Sequence, residues 1–224
     1  MPKETFFNLP EDKRNTILSC AIDEFAENDF ESASISRLVA EAGIAKGSFY
    51  QYFEDKHDLY LHLLDEGARQ KAAFLQNHPP PDETMGVFAY MRWLLMVGAS
   101  FEYVNPKITK VAQRAFYGGG PITEEIRKTA REAGEAFFGQ IVERGIAQGE
   151  IDPDIDRDAA VFIFWVTGQE LGNYLLRRFG NQPEETDLLG VIEQHKEEAE
   201  AIYDGLLKII EFGMRPKSSS QDTS

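Results

Sequence analysis

The segment from Ser34 to Lys56 concentrates side chains that can donate hydrogen bonds to phosphate oxygens or to the edges of bases. Its sequence is SISRLVAEAGIAKGSFYQYFEDK, in which hydroxyl groups and a few cations alternate with apolar residues. Hydroxyls, lysines, arginines and helix N-termini are the groups with which proteins contact nucleic-acid backbones. The residue types therefore indicate non-covalent recognition of a polar polymer.

Two short helices are predicted to position these side chains. Ser34 is a good N-cap for the first helix, and Gly43 provides the positive φ that a tight turn between helices requires. The second helix follows at once, with Phe49 and Phe53 spaced to face inward while Tyr50 and Tyr52 project elsewhere. This order of elements predicts a helix-turn-helix with an unusually aromatic second helix.

The overall charge opposes a nucleic-acid partner, because phosphate binding depends on Lys and Arg. The chain has a net charge of −15, and residues 1–62 contain six basic side chains against twelve acidic ones. Binding to DNA would therefore have to be local, through helix N-termini, hydroxyls and a few placed cations. We expect the affinity to depend less steeply on salt than it does for strongly basic proteins.

Composition restricts the other functional classes. The longest purely apolar run, residues 159–166, is too short to span a bilayer, and the first residues lack a signal-peptide core, so a cytoplasmic protein is expected. The single Cys20 excludes an intrachain disulfide. The four histidines are scattered and no catalytic constellation is visible, so we predict neither an enzyme nor a metal or other cofactor.

The whole chain is predicted to be α-helical, with about nine helices and no strand. Residues 1–9 are expected to form a loose arm. The proline run 79–81, which follows His78, is the clearest boundary, and the polar tail 216–224 is expected to be disordered. The predicted helices, separated by glycine and proline signals, span residues 10–28, 34–42, 45–53, 55–77, 83–103, 106–117, 122–148, 156–179 and 186–212.

The last two helices carry patterns that are typical of a helical bundle. Residues 159–166 are apolar on all sides, so the helix needs more than one neighbour. In the final helix a seam with alternating spacings of four and three is formed by Leu188, Ile192, His195, Ala199, Ile202, Leu206 and Ile209. The two helices can supply a homodimer interface. The alternative is that both seams pack only within one chain.

These features resemble the tetracycline-repressor-like (TetR) family of bacterial transcriptional regulators. The matching residues, in the order and spacing of that family, are Ile17 to Ala21, Phe25, Phe30, Ser34 to Val39, Ala42 to Ile44, Lys46 to Tyr50, Tyr52, Phe53, Lys56 and Leu59. The resemblance implies a helix-turn-helix DNA-binding domain over 1–55 and a regulatory domain over 56–215. It also implies a homodimer that binds a palindromic operator, usually as a repressor.

In such a protein the second helix of the motif enters the major groove, and its first turn faces the bases. The residues expected to contact DNA are Ser34, Ser36, Arg37, Ala45, Lys46, Gly47, Ser48, Tyr50, Tyr52 and Lys56. Two alternatives remain open: Arg37 as a solvated surface charge and Tyr52 as a core aromatic. A protein-interaction module that does not bind DNA is the alternative function.

The second part of the chain is rich in aromatic and methionine side chains with a few polar ones among them. This composition is compatible with an apolar pocket for a small lipophilic effector. The candidate lining residues are Phe88, Met91, Trp93, Phe101, Arg114, Phe116, Tyr117, Phe138, Trp165, Gln169 and Asn173.

Overall fold

The structure is a computed structural model, and it describes residues 1–82, 84–117, 121–122, 124–179 and 194–216. These residues form helices and connecting turns, without a strand, which confirms the all-α prediction. The helices of the described residues are α1 Glu4–Phe7, α2 Glu11–Glu27, α3 Ile35–Glu41, α4 Lys46–Tyr52, α5 Lys56–Asn77, α6 Val87–Val104, α7 Pro106–Tyr117, α8 Glu124–Ala147, α9 Arg157–Phe179 and α10 Lys196–Met214.

The chain divides into two compact units. The first unit contains residues 1–77 and 104–124, and the second contains residues 78–103 and 125–224. Helix α5, which the sequence assigned to the regulatory part, therefore belongs to the same compact unit as the helix-turn-helix. The division by function, at residue 56, remains a prediction.

The first unit is built around the apolar faces of α2, α3, α4 and α5. Ile17 and Phe25 of α2, Leu38 of α3, Phe49 of α4 and Leu59 of α5 are all buried. Helix α7 joins this unit, where the hydroxyl group of Tyr60 donates to the Val111 carbonyl at 3.3 Å. Burial of these side chains fixes the two helices of the helix-turn-helix against a common core.

The N-terminal segment differs from the loose arm that we expected from the sequence. Residues 4–7 form the short helix α1, and Phe6 is only 1% exposed. Its ring lies 4.8 Å from that of Phe53, measured between centroids. The sequence signal was the pair Phe6 and Phe7, which a solvated arm would leave exposed to water.

The second unit has its own core, which is made by α6, α8, α9 and α10. Apolar residues of all four helices meet there, including Met91, Val142, Phe164 and Tyr203. None of the helices among the described residues is long and apolar enough to cross a membrane. The tail predicted to be disordered lies outside the described residues from residue 217 onward.

The seam of the last helix is placed partly within the chain's own core. Leu188 and Ile192 lie outside the described residues. Ala199 is buried, whereas Ile202 and Leu206 pack partly against the core. The buried face of α10 is in fact formed by Ala199, Tyr203, Leu207, Ile210 and Met214. Ile209 is 72% exposed, so the last seam residue is available to a partner, whereas Ala199 is not.

Candidate nucleic-acid interface

Helices α3 and α4 form the helix-turn-helix that the sequence predicted. The Ser34 hydroxyl accepts a hydrogen bond from the Arg37 amide at 3.4 Å, so Ser34 is the N-cap of α3. Gly43 has a φ of +64°, and the Ile44 amide then donates to the Val39 carbonyl at 3.0 Å. Only glycine adopts this φ without steric cost, which explains its place in the turn.

Helix α4 has one buried and one exposed face. Phe49 is fully buried, whereas Tyr50 is 46% exposed. Ala45, Lys46 and Gly47 at the start of the helix are exposed as well. The exposed face therefore presents an ammonium group, a phenol hydroxyl and, at Gly47, backbone that no side chain covers.

Two of the predicted contact residues are joined to each other on this surface. The Lys46 ammonium group donates to the Ser36 hydroxyl at 3.2 Å, and both side chains are exposed. Ser48 is half-buried. A Cβ atom added at Gly47 would meet no atom of the chain within 4 Å. Packing within the chain therefore does not require a glycine at this position.

Arg37 is exposed but bound to a buried acid. Its guanidinium group donates to both carboxylate oxygens of Glu24, at 3.1 Å and 2.6 Å, and to the Ser32 carbonyl at 3.0 Å. Burial alone would raise the pKa of the Glu24 carboxyl group, but the hydrogen bonds from Arg37 and from the Ser34 amide outweigh it and lower the pKa. Arg37 is thus an exposed charge held in an ion pair with Glu24, and its contact with DNA remains a prediction.

Lys56 is directed into the loop that precedes α3. Its ammonium group donates to the Phe30, Glu31 and Ala33 carbonyls and lies 4.5 Å from the centroid of the Phe30 ring. An ammonium group has three protons to donate, and all three are used here. Contact between Lys56 and a phosphate remains a prediction, but the structure already gives this side chain a local role.

Tyr52 lies inside the first unit. It is 7% exposed, and its ring centroid is 6.1 Å from that of Phe6. This placement agrees with the alternative that Tyr52 is a core aromatic. Of the other predicted contact residues, Ser36, Ala45, Lys46, Gly47 and Tyr50 are exposed, as is Arg37, and Ser34 and Ser48 are half-buried.

The residues predicted to line an effector pocket are distributed over both units. In the second unit Phe88, Met91, Phe101 and Phe138 are buried, whereas Trp93 and Gln169 are more accessible. In the first unit the Arg114 guanidinium group donates to the Phe25 carbonyl at 3.2 Å, and Phe116 is exposed. The side chains of Tyr117 and Asn173 lie outside the described part of the structure.

One cleft in the second unit includes a predicted ligand residue, Trp165. It has a volume of about 410 Å³ and lies between α8 and α9. Its lining residues are Glu132, Glu135, Ala136, Arg157, Asp158, Val161, Phe162 and Trp165. In the part of the chain that the structure describes, no group of three or more His, Cys, Asp or Glu side chains is placed to hold a metal ion.

Comparison with known proteins covers both units. A family model described as bacterial regulatory proteins, tetR family, matches residues 17–63. A second model, described as the tetracyclin repressor-like C-terminal domain, matches residues 85–215.

A solved structure from Chloroflexus aurantiacus J-10-FL, described as a TetR family transcriptional regulator, is 45% identical with a TM-score of 0.79. The alignment covers 97% of this chain and 100% of that one.

Two further relatives are more distant or shorter in their match. The fatty acid metabolism regulator protein of Bacillus subtilis is 34% identical over 50 residues, which is 22% of this chain and 26% of that relative's length. The solved structure of the regulator FadR from Bacillus subtilis, in complex with stearoyl-CoA, has 18% identity and a TM-score of 0.65, covering 90% of this chain and 99% of that one. It shows a shared fold. From the two family models and the Chloroflexus relative, this chain belongs to the TetR family of transcriptional regulators, which have an N-terminal helix-turn-helix DNA-binding domain.

Proposed function

We propose that this chain is a ligand-responsive repressor, which binds a palindromic operator as a homodimer and is released by a small effector. The observation that carries the DNA-binding part is the exposed face of α4. There Lys46, Gly47 and Tyr50 are exposed while Phe49 on the opposite face is fully buried. A helix presented in this way can enter the major groove with its first turn toward the bases.

Each side chain on this face has a role that follows from its chemistry. The Lys46 ammonium group would donate to a guanine edge or a neighbouring phosphate, and Ser36, to which it is bonded, would orient it. The Tyr50 hydroxyl group would donate to a phosphate oxygen. Because Gly47 has no side chain, the helix backbone could approach the DNA closely there.

The homodimer is supported by apolar side chains that the second unit leaves in contact with water. Phe212 and Ile209 of α10 are 88% and 72% exposed, and Phe162 and Ile163 of α9 are exposed too. Large apolar side chains gathered on two helices are typical of a protein interface. Two copies of α4 would then read half-sites about 34–36 Å apart, or a multiple of this spacing.

A cleft in the second unit is the proposed site for the effector. The second unit contains the cleft between α8 and α9, and the related FadR fold binds stearoyl-CoA. At 18% identity this ligand suggests a compound to test and does not assign one. A ligand that binds one arrangement of the dimer better than the other would shift the separation of the two recognition helices and so release DNA.

The first test selects duplexes from a random-sequence pool with the full-length chain and measures binding to the selected duplex by fluorescence anisotropy. We expect Lys46→Ala to weaken binding by about 1–3 kcal/mol in each half-site if the contact is to a base edge. If Lys46 contacts a phosphate, the slope of log affinity against log salt falls by about 1 for each bound copy, which is about 2 for the dimer. Tyr50→Phe should weaken binding with no change in that slope, because it removes no charge.

A matched control separates these contacts from net charge. Lys196→Ala removes the same charge at an exposed position of α10, and its binding should equal that of the wild type. Circular dichroism and urea unfolding should show all three variants folded. If neither Lys46→Ala nor Tyr50→Phe changes the isotherm, the assigned face is wrong. If the wild-type chain selects no duplex at all, the protein-interaction module becomes the better proposal.

Gly47→Ala gives a test in which stability and binding move in opposite directions. Alanine is favoured over glycine in a helix by about 0.5–1 kcal/mol, and the added Cβ meets no atom of the chain. The variant should therefore be more resistant to urea. If the glycine serves close approach to DNA, the same variant binds the selected duplex more weakly. Unchanged or tighter binding would contradict that role.

A further inference from the structure

The C-terminal end of α4 has an unusual set of partners for its backbone. The last four carbonyls of an α-helix have no partner within the helix and must be satisfied from elsewhere. In α4 these are the carbonyls of residues 49 to 52. The first of them, Phe49, accepts from the Phe53 amide at 2.9 Å, which is an ordinary helix end.

The other three carbonyls are all satisfied by two residues near the start of the chain. The Lys3 amide donates to the Tyr52 carbonyl at 2.8 Å, and the Lys3 ammonium group donates to the Tyr50 carbonyl at 2.8 Å. The Thr5 hydroxyl donates to the Gln51 carbonyl between them. A cation at this position also interacts favourably with the negative end of the helix dipole.

Phe6 anchors this segment in the core of the first unit. Its side chain is buried, and its ring centroid lies 4.8 Å from that of Phe53, the residue that follows α4. Pro2 is buried as well. Residues 2–7 therefore contact α4 both through its backbone and through the side chain at its end.

A helix of seven residues has little stability of its own, because nucleation costs more than so few hydrogen bonds return. The position of α4 must therefore come from contacts outside it. The buried Phe49 and Tyr52 fix which face points inward, but their packing leaves the carbonyls of the last turn in need of hydrogen-bond donors. Hydrogen bonds from Lys3 and Thr5 hold that last turn, from which Tyr50 projects.

We propose that residues 2–7 form a brace that fixes the recognition helix, and that Lys3 and Thr5 are positioning residues for DNA binding. The effect on DNA rests on the proposed function, whereas the brace itself is a property of the free protein. Lys3 acts here through the α4 backbone. Substitution of Lys3 should therefore speed amide exchange in α4 without any DNA present. A contact between Lys3 and phosphate alone predicts no such change.

The experiment compares Thr5→Val and Lys3→Met with the wild-type full-length chain by amide hydrogen exchange in the absence of DNA. Loss of one hydrogen bond corresponds to about a fivefold change in the opening equilibrium. We expect the amides of Tyr50 to Phe53 to exchange about fivefold faster in Thr5→Val and at least fivefold faster in Lys3→Met, while those of α2 and α5 stay within twofold. Thr16→Val and Lys13→Met are the matched controls, because both side chains are exposed on α2 and the Thr16 hydroxyl donates within that helix, to the Asp12 carbonyl.

The second measurement is the affinity for a duplex selected by the wild-type chain. Thr5→Val removes no charge, so we expect a measurable loss of affinity, at most about fivefold for each bound copy, with the salt dependence unchanged. Unchanged exchange at residues 50–53 would overturn the brace. An equal rise throughout α2 and α5 would also overturn it, since it would assign Lys3 and Thr5 to global stability. Faster local exchange with unchanged affinity would overturn the positioning role. If the wild type selects no duplex, the exchange result still decides the brace by itself.

Discussion

His62 is a titratable side chain enclosed by aromatic rings. It is 4% exposed, and the rings of Phe6, Phe7 and Phe53 lie around it with centroids 5.8, 6.3 and 6.4 Å away. Its Nδ1 atom has no hydrogen-bond partner among the described residues. Burial lowers the pKa of this imidazole and the positive charge of Arg69 lowers it further, while the carboxylates of Glu66, Asp65 and Asp58 act in the opposite direction.

We predict that His62 makes the free energy of unfolding fall on mild acidification. The imidazole has a lowered pKa in the folded chain and a value of about 6.5 when unfolded, so the unfolded chain takes up the proton first. Stability should decline as the pH falls through about 6.5 and level off below the folded pKa. Urea unfolding of the wild type and His62→Leu between pH 7.5 and 5 measures this, with exposed His78→Gln as the control. A slope that persists in His62→Leu would contradict the prediction.

The loop between α2 and α3 is held by side chains from other parts of the first unit. Four consecutive carbonyls, those of residues 30 to 33, accept from Lys56 or Arg37. The Ser34 amide donates a hydrogen bond to the Glu24 carboxylate at 2.7 Å, which links the end of the loop to α2. The start of α3 is therefore fixed by charged groups, and the position of the whole helix-turn-helix depends on them.

Lys56→Met should reveal this role in the absence of DNA. Methionine keeps most of the apolar stem but removes the three hydrogen bonds to carbonyls and the interaction with the Phe30 ring. Hydrogen bonds that involve a charged group contribute about 1.5–3 kcal/mol, so we expect a loss of about 2 kcal/mol in urea unfolding of the free protein. Exposed Lys13→Met should cost nothing measurable. Equal stability of the two variants would leave phosphate contact as the only role for Lys56.

The helices were predictable from the sequence, whereas the partners of the polar side chains were not. Apolar spacing and the glycine and proline signals predicted α2 over 10–28 and α5 up to residue 77, against Glu11–Glu27 and Lys56–Asn77 in the structure. Spacing along one helix cannot show that Lys56 bonds to a loop more than 20 residues earlier. Glu24 did leave a signal, because it is an acid on the apolar face of α2 between Ala21 and Phe25.

At the scale of the whole molecule, the net charge of −15 is compatible with DNA binding only if a few placed cations make the contacts to DNA. Residues 1–62 contain six basic side chains, and most of them donate hydrogen bonds to other groups of the chain. Lys3, Arg14, Arg37 and Lys56 donate to backbone carbonyls or to Glu24. The other two are Lys13, exposed on α2, and Lys46, which donates to the Ser36 hydroxyl on the exposed face of the helix-turn-helix. The acidic remainder opposes non-specific association with phosphates, so specificity would rest on few contacts.

The proposed homodimer gives the last prediction. In a two-fold interface each substitution is present twice, once from each copy. Burying a phenylalanine side chain contributes about 1.5–3 kcal/mol, so Phe212→Glu in both copies should cost about 3–6 kcal/mol of dimer stability, a factor of at least about 150 in the dissociation constant. Light scattering should give the wild type a mass of two 25.3 kDa chains and the variant a mass near one.

Val104→Glu places the same charge on an exposed apolar residue outside α9 and α10 and should remain dimeric. A monomeric wild type at micromolar concentration would refute the dimer, and a dimeric Phe212→Glu variant would move the interface away from this face of α10.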